Sequence, residues 1–240
     1  MTALTKPFAL PEDWEIFYSR QAKQAKDPSL AEFYRHGLVA SPETPIGDVE
    51  MVALDFETTG LNYEQDHILS IGLVPFDISR IYAGRSAEWV IDPGEPVSEE
   101  SIVIHGITHS ELDEAPPFSS VLDQFLQHIA GKLVVVHYRY VEREFLRKTI
   151  AGLLNESLLF PVADTMELET EILSKKLGLL RRLLKQPRQS LRLPDTRSRY
   201  GLPAYHNHSA MTDALATAEL FQAQLAYHFN PEMPVIKLWK

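Results

Sequence analysis

The stretch "MVALDFETTGL" at residues 51–61 sets two carboxylates two positions apart at the end of an apolar run. Met51, Val52, Ala53 and Leu54 suit a central strand covered on both faces. Side chains at i and i+2 of a strand point the same way, so Asp55 and Glu57 project together just before Thr58, Thr59 and Gly60 make a turn. Ionised carboxylates in such a place need compensation, either from Arg, Lys and backbone donors or from a metal ion. Near the other end, "YHNHSAMTDALATAEL" opens a long helix, with His208 on the preceding loop and Asp213 in its first turn or so, where the helix dipole favours an anion. Several hard oxygen ligands, with a base to prepare water, are what a two-metal phosphodiesterase requires.

Apolar periodicity predicts the elements that must bring these residues together. Strands are expected at 50–56, 67–76 and 81–91, a helix at 119–130, the apolar strand "KLVVVH" at 132–137 and a helix at 141–153. A short strand at 161–164, a helical stretch over 166–186 and a final helix over 209–228 complete the list. Three strands followed by alternating helices and strands predict an α/β layered fold with a mixed sheet. Residues 1–48 form an N-terminal helical extension and linker, and 49–240 the main domain. In the extension, Trp14, Phe17 and Tyr18 share one helix face. Asp27 caps a second helix that Pro28 starts and Gly37 ends, with Leu30, Phe33 and Tyr34 facing inward. Both helices are expected to dock on the main domain, with a polar linker at 40–48.

With 240 residues, 45% of them hydrophobic and 23% charged, the chain fits a globular protein large enough for a substantial core. It has no cysteine, which excludes disulfides, thiolate zinc sites and cysteine nucleophiles. No apolar run reaches membrane-spanning length, and the N-terminus lacks the apolar core of a secretory signal, so a cytoplasmic protein without a membrane partner is expected. The net charge of −10 hides a basic tract. Residues 175–199 hold nine Lys and Arg against the single acid Asp195, +8 locally and −18 elsewhere. That tract is either a track for a phosphate backbone or a solvated helix face.

Taken together, "LDFETTGL", "IHGIT" at 104–108, the Asp164–Thr165 pair and "HSAMTDA" resemble, in the correct order, the motifs of the DnaQ-like DEDDh 3′–5′ exonucleases. This family includes the epsilon proofreading subunits of bacterial DNA polymerase III. The resemblance spans about residues 50–225 and implies a ribonuclease H-like fold, a mixed five-stranded sheet flanked by helices. It also implies two Mg²⁺ or Mn²⁺ ions, about 3.5–4 Å apart. Asp55 would bridge them, Glu57 and Asp213 would complete the site that holds the attacking water, and His208 would be the general base. The second motif departs from the family's pattern: in "HYRYVEREFL" at 137–146, Glu142 stands where the family has Asp, and Tyr138, Arg139 and Val141 replace Asn, Ala and Phe. Glutamate sets its charge about 1.5 Å further out. By the resemblance Glu142 would be the fourth acidic metal ligand of a working site with altered geometry; an acid on an exposed helical face is the alternative.

By the same resemblance, Thr58, Thr59 and Gly60 would offer backbone N–H groups to a terminal nucleotide, Leu61 would wedge against the last bases, and His105 would lie beside that nucleotide. A bland turn with a core leucine is the alternative. His109, His137 and His206 are expected in structural or surface roles, and Asp164 as a strand-end cap. "QLAYHF" at 224–229 weakly resembles sliding-clamp-binding peptides, but its Leu225 and Phe229 have ordinary core spacing, so polymerase or clamp association is unsupported. The expected activity is hydrolysis at the 3′ end of DNA, with nucleoside 5′-monophosphates released from single-stranded or frayed ends. An RNA 3′-end exoribonuclease of the same fold, or a catalytically silent nucleic-acid-binding or scaffold module, are the rivals.

Overall fold

The computed structural model describes residues 10–38, 41–98, 101–102, 105–184, 189–205 and 209–239, with backbone alone over 176–184. Five strands form one sheet in the order β3-β2-β1-β4-β5: β1 (Met51–Thr58), β2 (Ile68–Phe76), β3 (Ala87–Val90), β4 (Leu133–Val136) and β5 (Val162–Asp164). β1 pairs antiparallel with β2 and parallel with β4, so the strand carrying Asp55 and Glu57 is central in a mixed sheet. Its apolar start is wholly buried, as a strand covered on both faces requires.

The helices are α1 (Trp14–Gln24), α2 (Pro28–His36), α3 (His109–Asp113), α4 (Phe118–Ile129), α5 (Tyr140–Leu154), α6 (Thr165–Leu184), α7 (Leu193–Arg199) and α8 (Ala210–His228). The short α3 and α7 carry too few turns for periodicity to reveal them. α3 forms on a capping box between Thr108 and Glu111, and α7 opens with Pro194 in its first turn.

The third strand is shorter than its sequence predicts. Asp77 accepts hydrogen bonds from the backbone N–H groups of Ser79 and Arg80 and from the Tyr82 hydroxyl, folding 77–82 into a tight turn. A 3₁₀ turn at Ala83–Arg85 follows, and ladder pairing begins only at Ala87. The local Asx-turn bonds of Asp77 outcompete the extended chain.

Trp14, Phe17, Tyr18, Leu30, Phe33 and Tyr34 of the first two helices are buried in the same apolar cluster as β1, β4 and β5. The Tyr34 hydroxyl accepts from Leu159 N at 3.0 Å, and the Glu156 carboxylate accepts from Lys26 N and Asp27 N. The stretch expected to be a linker is pinned along its backbone to residues near the far end of the chain. Ile46 N donates to Met233 O, Gly47 N to Pro231 O, and Val235 N to Thr44 O.

Candidate active site

At the carboxyl end of β1 the ladder sets Asp55 opposite Gly72 and Glu57 opposite Ser70, and the register slips between Glu57 and Thr58. Asp55, Glu57 and Asp213 each offer a carboxylate oxygen, and these oxygens lie within 4.8 Å of one another. Asp213 reaches this point because the first turn of α8 lies directly on β2. A Cβ built on Gly72 would stand 2.2 Å from the Ala210 carbonyl oxygen, a distance no side chain survives. Ala210 is itself fully buried, and the Ser209 hydroxyl caps the helix by accepting from Thr212 N. Gly72 is thus a residue of the site that motif reading missed. A glycine inside an otherwise apolar strand is the signal that marks such a close approach.

Glu142 sits in the first turn of α5 and is only 3% exposed, so the exposed-helix reading does not hold for it. Its Oε2 is buried without a hydrogen-bond partner among the described residues. Burial, and then the charges of Glu142, Asp213 and Glu57 in that order, push the Asp55 carboxyl well above the usual carboxylate range. Burial also raises Glu142, with a further push from Asp164. Among the described residues, no Lys or Arg is ion-paired with Asp55 or Glu57. The Glu57 carboxylate instead lies 2.6 Å from His105 Nδ1, and this contact raises the imidazole pKa.

Asp164 holds the junction from which α5 departs. Its carboxylate accepts from Tyr138 N and Arg139 N, both at 3.1 Å, and from Met166 N at 2.9 Å, and it meets the Arg139 guanidinium. It therefore caps α6 and at the same time fixes the start of the helix that carries Glu142. His137 is structural: Nδ1 meets Thr165 Oγ1 and Nε2 meets Leu191 O, and burial lowers its pKa.

Residues 59–67 form a closed loop. Thr59 N donates to His67 O, Thr59 Oγ1 donates to Asp66 Oδ1 and accepts from His67 N, and Asp66 Oδ2 accepts from Asn62 N. The Thr58 hydroxyl donates to Gly60 O. Gly60 is needed for room, since a Cβ there would lie 2.5 Å from the Asp66 carboxylate. Leu61 is 84% exposed at the tip, so it is no core leucine.

His208, His206 and Ile104 of the predicted motifs lie outside the described residues, as do the side chains of Lys176, Arg181, Arg182, Lys185 and Arg188 in the basic tract. Two further cations of that tract are not available to a phosphate backbone. Arg197 is buried and donates to Ala216 O, Pro203 O and Glu219, and Arg199 is bound to Glu169 and Ser190 O. In "QLAYHF", Leu225 is buried and Phe229 is partly buried against the same core, in line with core spacing.

The sequence model of the exonuclease family, of RNase T type, matches residues 52–221. The chain belongs to the DEDDh exonuclease family. It is 31% identical over 180 residues to DNA polymerase III subunit epsilon of Treponema pallidum, covering 75% of this chain and 78% of that protein. It is 29% identical over 184 residues to the PolC-type DNA polymerase III of Thermotoga maritima, of which it spans only 12%. A DNA polymerase III subunit epsilon-like protein of Rhodobacter capsulatus is 31% identical over 188 residues, and the chain spans 25% of it. Among solved structures, the fold matches the nuclease domain of 3′hExo, a DEDDh family member bound to rAMP, with a TM-score of 0.60 at 15% identity over 77% of this chain and 94% of that one. Exonuclease X in complex with 5′ overhanging duplex DNA gives 0.55 at 21% identity over 77% and 96%. The chain thus covers nearly all of these two nuclease structures, with α1 and α2 packed on the sheet ahead of the matched region.

Proposed function

We propose that this chain is a divalent-metal-dependent 3′–5′ exonuclease acting on DNA, with unpaired 3′ ends as substrate and nucleoside 5′-monophosphates as product. The observation that carries this reading is the meeting of Asp55, Glu57 and Asp213 at one point, with buried Glu142 foremost among the charges acting on Asp55. A cluster of acids that burial and mutual repulsion hold in tension, with an orphaned buried oxygen on Glu142, fits divalent cations. The donors are all carboxylate oxygens, the hard ligands that suit Mg²⁺ and Mn²⁺. Relatives named as polymerase III subunits and polymerases support DNA over RNA.

In this reading Asp55, Glu57, Glu142 and Asp213 would hold the cations, which would supply charge to neutralise the scissile phosphate and favour ionisation of the attacking water. His208 takes a proton from that water on an imidazole nitrogen. The water oxygen bonds to phosphorus, the P–O3′ bond breaks, and the penultimate nucleotide leaves with a free 3′ hydroxyl. His105 holds Glu57 in place through their 2.6 Å contact, and the loop of Thr58, Thr59, Gly60 and Leu61 faces the terminal nucleotide.

The test is release of mononucleotides from 5′-labelled oligonucleotides, DNA and RNA in parallel, with Mg²⁺, Mn²⁺ or EDTA. Stepwise shortening of the DNA from its 3′ end, abolished by EDTA, is the expected result. A chain that shortens neither polymer in either metal is not a nuclease, and one that shortens only RNA is an exoribonuclease.

A further inference from the structure

We infer that Tyr138 and Tyr140 form a stacking ledge for the unpaired bases of single-stranded nucleic acid that approaches the acidic cluster. The inference rests on the exonuclease reading of that cluster. The two rings are stacked on each other with centroids 5.8 Å apart and planes 29° from parallel. They are 47% and 50% exposed, whereas an aromatic pair of this size gains most by burial. Arg139, between them, turns its guanidinium away to Asp164 and Glu167.

The position of the pair is also held against the preference of the backbone. Tyr138 has φ of +79°, a conformation that suits glycine and is rare for a bulky side chain. Such strain persists only where the surroundings enforce it, and here Asp164 binds both Tyr138 N and Arg139 N. The result is a fixed orientation for two exposed rings. They lie just past the carboxyl end of β4, the parallel neighbour of β1, and directly before Glu142. On this proposal, single-stranded nucleic acid whose 3′ end enters the cluster runs along the start of α5. Aromatic faces accept any base, so the ledge is tolerant of sequence, and bases locked in a duplex cannot lie on it. It thereby selects unpaired ends.

The experiment measures binding of fluorescein-labelled dT12 by anisotropy in Ca²⁺, for wild type, the Tyr138→Phe/Tyr140→Phe pair and the Tyr138→Gly/Tyr140→Ala pair. Glycine suits the φ at 138, so the ring is removed without adding strain. Removing both rings is expected to weaken binding about 10- to 100-fold, while the phenylalanine pair stays within about twofold of wild type. Binding by the Gly/Ala pair within about twofold of wild type overturns the ledge. So does a phenylalanine pair as weak as the Gly/Ala pair, or a wild type that does not bind. Hydrolysis of the p-nitrophenyl ester of thymidine 5′-monophosphate in Mn²⁺, which carries one base only, is expected to be equal in all three proteins. A loss there to match the loss in dT12 binding assigns the tyrosines a purely structural role and overturns the proposal. Ring-dependent dT12 binding by a wild type inert toward both ester and oligonucleotide supports the ledge and sinks the nuclease reading instead.

Discussion

Ionising Asp55 is costly at this site, and that cost makes metal binding measurable without activity. Its carboxyl and that of Glu142 sit above the usual carboxylate range, so the folded metal-free protein holds protons there that the unfolded chain releases. Metal-free stability therefore falls as pH rises from the unfolded carboxylate value, about 4, through the raised folded values. A cation must displace those protons, so its apparent affinity rises over the same window. The rise in Tm on adding Mn²⁺ is expected to grow with pH through that window. With Mn²⁺ at about a hundred times its Kd, the rise reaches roughly 5–10 °C. Asp55→Asn should abolish it and leave the metal-free Tm equal or higher, as differential scanning fluorimetry would show. For His208 the expected outcome is kinetic: His208→Ala lowers turnover by about 10²–10⁴-fold with the Mn²⁺ effect on Tm retained. Wild-type activity should fall below pH about 6.5, as an imidazole that must be neutral gains its proton. Asp55, Glu57 and Asp213 were legible in the sequence because the motifs that carry them resemble, in the correct order, those of the family. The strain at Tyr138 was not, because φ is set by contacts from a residue 26 positions away, Asp164.

At the scale of elements, the site depends on how closely α8 can lie on β2. Gly72→Ala puts a methyl group into the Ala210 carbonyl and must lift the first turn of the helix that carries Asp213. Overpacking of this kind costs about 1–3 kcal/mol, and a displacement near 1 Å costs about 100-fold in rate. Urea denaturation and turnover on the p-nitrophenyl ester of thymidine 5′-monophosphate should both record the change, with activity losing more than stability. Retained activity would mean that α8 moves without Asp213. The order of strands and long helices was readable from apolar periodicity, which reports which face is buried. The turn at 77–85 was not, because one aspartate's bonds to Ser79, Arg80 and Tyr82 override the extended preference of the apolar residues around it. Charge counting overstates the free cations of the basic tract for a related reason. It cannot tell a guanidinium in water from Arg197, which is buried against Ala216 O and Glu219.

Over the whole molecule, the first two helices and the sheet share one apolar core, and among the described residues no helix is long and apolar enough to cross a membrane. Phe33 packs edge-on against Tyr34 and Phe160, so Phe33→Ala should cost about 3–5 kcal/mol and shift one cooperative urea transition. Tryptophan fluorescence and far-UV circular dichroism are expected to trace the same midpoint. Two separate midpoints would make residues 1–48 a unit that folds apart from the rest. The backbone bonds from Thr44, Ile46 and Gly47 to Val235, Met233 and Pro231 carry a mechanical consequence. They knot the segment leaving α2 to the segment leaving α8, so the helix bearing Asp213 is tethered at its far end to the first helices of the chain. Slack introduced at that knot would travel down a rigid rod of about 28 Å and arrive as misalignment at the acids.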